Sequence, residues 1–101
     1  MANNKIQNEY TDRLVRALLS LTTDEECYKL LEDLCTIREI QDLAQRLEVA
    51  RMLRAKVTYN EIAQSTGVST ATISRVNRSL SYGAGGYDMV LDRLEAEESN
   101  G

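Results

Sequence analysis

The side chains between Thr58 and Arg78 are the ones best suited to chemistry, and that chemistry is recognition of an anion rather than bond breaking. Ser69, Thr70, Thr72 and Ser74 supply hydroxyls, Arg75 and Arg78 supply fixed positive charge, and no Asp or Glu occurs from Ser69 to Ser81. Hydroxyls and guanidinium groups donate to phosphate oxygens and base edges, and small residues such as Ala71 let a helix approach a groove closely. A face selected only for solubility would carry acids as well as bases. Catalysis has little to work with. The chain has no histidine, and Cys27 and Cys35 lack a recognisable base, so the positioned partners that acid–base or nucleophilic chemistry needs are missing from the pattern. Neither a CxxC pair nor a His-rich cluster offers a metal site, and no enzyme, metal or cofactor is expected.

Charge is unevenly spread. The chain of 101 residues carries a formal charge of −4 and has a pI near 4.8, which excludes a protein that coats nucleic acid by bulk positive charge. Between Arg54 and Leu80, however, Arg54, Lys56, Arg75 and Arg78 face only Glu61, so this stretch stands at +3 and the remainder at −7. Any anion contact is therefore local, a basic patch on an acidic body.

The elements that must position these residues are helical. Proline is absent, and apolar residues recur at steps of three and four rather than alternating. Ile6, Tyr10, Leu14, Ala17, Leu18 and Leu21 form one face of a first helix. Three further starts share a capping-box pattern, with threonine followed three residues later by glutamate: Thr23 and Glu26, Thr36 and Glu39, Thr58 and Glu61. They predict helices near 24–34, 37–54 and 59–65. Ser69 caps a fifth helix reaching Leu80. Residues 81–86, rich in glycine, read as a flexible joint, 87–96 as a last helix carrying Tyr87, Val90, Leu91 and Leu94, and the acidic end as frayed. Cys27 shares a face with Leu30, Leu31 and Leu34, which predicts a small buried thiol in a reducing compartment. The whole reads as one all-α domain over 1–101.

Within 58–80 the pattern fits a helix-turn-helix position by position. Ile62 points inward, Ala63 is small where the helices cross, Gly67 supplies the turn, and Val68, Ile73 and Val76 form the buried side of the second helix. Ser69, Thr70, Ala71, Ser74, Arg75 and Arg78 remain outside. The same spacing also describes an ordinary tight pair of packed helices.

Leu53-Arg54-Ala55-Lys56-Val57-Thr58, Glu61-Ile62, Ala71-Thr72-Ile73-Ser74-Arg75 and Asn77-Arg78-Ser79-Leu80 together resemble the Trp repressor family. A weaker likeness extends back through Leu30 to Thr36, and the chain looks closer to the Gram-positive members whose effector is unassigned. The resemblance implies a six-helix subunit in an intertwined dimer whose first helices cross the partner. The helix-turn-helix and its basic flank are expected to contact DNA through Arg54, Lys56, Tyr59, Ser69, Thr70, Ala71, Thr72, Ser74, Arg75 and Arg78. For a small-molecule corepressor the resemblance implies Thr36, Arg46, Arg75 and Ser79. Thr36 and Arg46 keep the family's ten-residue spacing, whereas alignment on the helix-turn-helix puts Cys35 and Gln45 in those places. The family has glycine after the recognition-helix arginine, leaving space for an indole ring; here Val76 stands there, which disfavours tryptophan. Ordinary surface pairing among Arg38, Asp42, Arg46, Glu48 and Arg51 is the other reading of Arg46.

The expected function is a cytoplasmic homodimeric regulator, a repressor by resemblance, bound to double-stranded DNA. No basic and apolar leader precedes Asn8, and no apolar run is long enough to span a membrane. A helical adaptor whose acidic body binds other proteins is the alternative. The related C-terminal domain of bacterial replication initiators is disfavoured, because that family adds an Asp-His-Thr-Thr-like recognition sequence and this chain has no histidine.

Overall fold

The computed structural model describes residues 5–100, which form six helices and no strand. In chain order they are α1 (Glu9–Leu19), α2 (Asp24–Leu34), α3 (Ile37–Arg54), α4 (Tyr59–Thr66), α5 (Thr70–Tyr82) and α6 (Gly86–Asn100).

Local hydrogen bonds explain where they start. At α4 the Thr58 hydroxyl accepts from the Glu61 amide at 3.2 Å while the Glu61 carboxylate reaches back to the Thr58 amide, a complete capping box. Thr36 and Glu39 make the same reciprocal pair before α3, at 3.1 and 2.8 Å. The Thr23 box is incomplete. Thr23 accepts from the Glu26 amide, but the Glu26 carboxylate passes over Thr23 and takes the Thr22 amide and hydroxyl at 2.8 and 3.1 Å. At α1 the cap is Asn8, whose side chain accepts from the Thr11 amide, so Ile6 and Leu21 lie outside the helix whose stripe they were expected to join.

The chain divides into two compact units, one ending at Ile40 and the other beginning at Gln41. Among the described residues, the second unit contains every buried one: Val49, Ala50, Ile62, Val68, Ile73, Val76 and Leu91, with Leu53, Val57, Ala63, Leu80 and Tyr87 packed against them. No residue of α1 or α2 is buried. Cys27 is accordingly exposed rather than enclosed, because its stripe of leucines meets no core within its own unit. Cys35 is half-buried at the end of α2 and donates its amide to the Leu31 carbonyl.

The segment after Leu80 also differs from expectation. α5 continues to Tyr82, and α6 runs on to Asn100, so the expected joint over 81–86 shrinks to residues 83–85 and the acidic end is helical. A Cβ on Gly83 would fall 2.4 Å from the Ser79 carbonyl oxygen, so glycine at 83 is what lets the chain leave α5 so tightly.

Candidate nucleic-acid interface

Two turns set the interface. α3 ends in a Schellman arrangement, with the Lys56 amide on the Leu53 carbonyl at 3.1 Å and the Val57 amide on the Met52 carbonyl at 3.0 Å. Lys56 holds the left-handed position at φ +66, where glycine would be unstrained. The second turn begins at Gly67, also left-handed at φ +74, whose amide closes α4 on the Ala63 carbonyl. Thr66 braces it, its hydroxyl donating to the Ile62 carbonyl at 2.7 Å and accepting from the Val68 amide. Ile62, Ile73 and Val76 lock α4 against α5 from inside. Val68, which was read as part of the second helix, is a buried turn residue.

What this leaves outside is a polar, acid-free surface. Ser69, Thr70, Ala71, Ser74, Arg75 and Arg78 are all exposed, as are Lys56 and Tyr59. Thr72 is half-buried and serves the helix start: its hydroxyl accepts from the Ser69 hydroxyl, and its amide donates to the Ser69 hydroxyl at 3.2 Å. That bond is the cap of α5. Asn77 and Tyr82 extend the exposed face, Asn77 lying seven residues after Thr70 and so above it on the helix. Helical spacing would have found Asn77, whereas Tyr82 required knowing that α5 passes Leu80.

Electrostatics separates α5 from the other helices. α1, α2, α3, α4 and α6 each carry at least one carboxylate in the first turn, where it complements the helix dipole, and α5 carries none. Its positive end is left uncompensated. Among the described residues, Lys56, Arg75 and Arg78 make no ion pair either.

The last two cations of α3, Arg51 and Arg54, are tied down. Arg51 grips Glu48, its Nε donating to Oε1 at 2.8 Å, and this bond holds the Glu48 carboxyl below its usual range although partial burial opposes the shift. Arg54 is half-buried against α6, bonded to Asp92 at 2.6 Å and to the Asp88 carbonyl at 3.1 Å. It is therefore not free on the surface with Arg75 and Arg78, as its place in the basic stretch had suggested. The missed partners are Asp88, Asp92 and Glu95.

The residues expected to hold a corepressor have different surroundings. Ser79 lines a shallow apolar cavity of about 430 Å³ with Leu47, Tyr87 and Val90, but neither Arg46 nor Arg75 is part of its wall. Thr36 is occupied in the α3 cap, and Arg46 is half-buried. Val76 is only 2 % exposed, so its isopropyl group is core. Among the described residues no cluster of His, Cys, Asp and Glu could hold a metal, and no helix is long and apolar enough to cross a membrane.

Known proteins share this geometry. The family profile of the Trp repressor protein matches residues 9–95. The uncharacterized protein YerC of Bacillus subtilis is 54% identical over 99 residues, covering 98% of this chain and 95% of that one. The crystal structure of a TrpR-like protein from Eubacterium eligens superimposes with a TM-score of 0.88 at 56% identity, over 92% of this chain and 96% of the other. A candidate Trp repressor from Staphylococcus aureus gives a TM-score of 0.88 at 49% identity, over 94% and 95% of the two chains.

Proposed function

Because this chain belongs to the Trp repressor family, we propose that it is a DNA-binding transcriptional regulator, a repressor, that acts as a homodimer and lays α5 of each copy into a major groove. The observation that carries the reading is the face of α5: acid-free in its first turn, lined by Ser69, Thr70, Ala71 and Ser74, and flanked by the unpaired Arg75 and Arg78. A helix end without a counter-charge and two guanidinium groups without carboxylates suit a polyanion that brings its own. Lys56 and Tyr59 flank the same unit and are assigned phosphate contacts. Half-sites are expected about one helical turn of DNA apart.

The homodimer is supported by the first unit. Tyr10 is 80% exposed, Leu18 46%, Leu19 79% and Ile37 76%, yet no described residue of that unit is buried. Apolar surface on this scale calls for a partner, and a second copy is the simplest. A monomer at micromolar concentration by sedimentation would defeat this part of the reading.

Tryptophan is not assigned as corepressor. The buried Val76 fills the position where the family leaves space for an indole ring. Addition of tryptophan is expected to leave duplex affinity unchanged, and sharpened binding would show the steric argument to be wrong. The main experiment is selection of bound duplexes from a random pool, followed by salt titration of the winner. Arg75→Ala with Arg78→Ala should weaken binding and flatten the log–log salt slope by about 0.9 for each phosphate no longer neutralised. If the intact chain retains no duplex from the pool, the adaptor reading takes its place.

A further inference from the structure

Arg54 is the one cation of the basic stretch that α6 has captured, and it is captured by more charge than it can neutralise. Its Nη2 meets Asp92 Oδ1 at 2.6 Å and lies 3.6 Å from Glu95 Oε2, while Nη1 lies 3.5 Å from Asp88 Oδ1 and donates to the Asp88 carbonyl. Asp88, Asp92 and Glu95 recur at steps of four and three, so they share one face of α6. Three carboxylates converge on one guanidinium. A single carboxylate would suffice to anchor the arginine, and each additional one repels the others. The neighbouring Arg51, one turn back on α3, gives no relief because it is engaged by Glu48. A cleft of about 260 Å³ opens beside Arg54, lined also by Arg51, Ala55, Glu95 and Glu98, and gives the guanidinium room to turn. α6 buries Leu91 fully and Tyr87 in part, so only two of its side chains pack into the core and its acidic face stays at the surface.

Resting on the DNA-binding reading, we propose that the acidic face of α6 is an internal competitor for phosphate: it holds Arg54 in the free protein and yields it to the backbone of bound DNA. The carboxylate oxygens of Asp92 and Glu95 occupy the donor directions that a phosphate would use, so the exchange replaces one charge-assisted contact with another. The device lowers affinity for any duplex that fails to bring a phosphate to Arg54. Such a duplex meets the surplus negative charge of α6 instead. The contact thus acts on selectivity as well as on strength.

The test is a double-mutant cycle in the full chain, Asp92→Asn with Glu95→Gln, each measured with and without Arg54→Ala, read as duplex affinity against salt. Release of Arg54 should tighten binding roughly three- to tenfold and steepen the log–log salt slope by about 0.9, the value for one added phosphate contact. Both changes should vanish in the Arg54→Ala background. Glu97→Gln, on the same helix but in no ion pair, matches the one-charge change of Asp92→Asn measured alone and so controls for net charge. Amide exchange across α6 confirms that the variants remain folded, and Asp92→Asn alone serves if the pair loosens the helix. A gain that persists without Arg54, or one matched by Glu97→Gln, overturns the competitor and leaves simple repulsion. Unchanged binding by the neutralised variants overturns it too, with the function reading intact. No duplex binding by the intact chain or the variants overturns both.

Discussion

The two units of this chain use similar proportions of apolar sequence to opposite ends. From Gln41 onward, Ile62, Ile73, Val76 and Val49 are almost completely removed from solvent, and α4, α5 and α6 assemble around them. Before Ile40 the helices are as well capped and their stripes as regular, but Tyr10, Leu14, Leu18, Tyr28 and Leu34 stay exposed. Periodicity records that a face must be buried; it does not record against what. The second unit satisfies its stripes internally, and the first leaves its own exposed.

The sharpest way to break that comparison is the same kind of truncation in each unit. Ile73→Ala removes a fully buried side chain and should cost about 2–4 kcal/mol at every protein concentration. If the proposed homodimer buries the face of α1, Leu18→Ala should cost little in dilute solution and more as copies associate. Urea unfolding over a hundredfold range of concentration separates the two. Equal, concentration-independent losses would mean that α1 has an intrachain core after all.

A smaller effect distinguishes the two turns of the second unit. Nothing lies within 4 Å of a Cβ built on Gly67, so Gly67→Ala should lose stability through φ alone, by about 1 kcal/mol. Lys56→Gly should gain roughly 0.5–1 kcal/mol by relieving the strained lysine, and at the same time weaken duplex binding. A lysine kept against its backbone preference is expected where its charge is used. If thermal unfolding shows Lys56→Gly to be destabilising, the lysine is retained for packing instead.

The smallest expected effect concerns the paired cations of α3. Arg51 depresses the Glu48 carboxyl from its ordinary value of 4.5, so the pair contributes stability that is present above that pH and lost as pH falls through the lower, folded value. Both side chains are about half exposed, which limits the contribution to roughly 0.5 kcal/mol or less. Glu48→Gln should flatten the acid limb of the stability profile by that amount. A larger change would mean that the pair is shielded from water as well as bonded.

What could be read directly from the chain was local. The threonine caps at 36 and 58, the serine cap at 69, the left-handed glycine at 67 and the inward set of Ile62, Ile73 and Val76 all depend on residues a few positions apart. Backbone geometry brings such residues together whatever the rest of the fold does. The acid-free face of α5 was legible for the same reason, because one helix carries it whole. Even local reading had limits: Glu26 chose Thr22 over Thr23, and the hydroxyl of Thr72 accepts from the Ser69 cap. The fates of Arg54 and Cys27 were settled only by tertiary structure. Arg54 finds its hydrogen-bond partners 34 and 38 residues downstream, a pairing that no helical period encodes. Cys27 sits on a stripe that looks like any core-facing stripe until the absence of a core beneath it is seen. The sequence thus determined a surface suited to anions, and the fold decided which of its cations are held back from it.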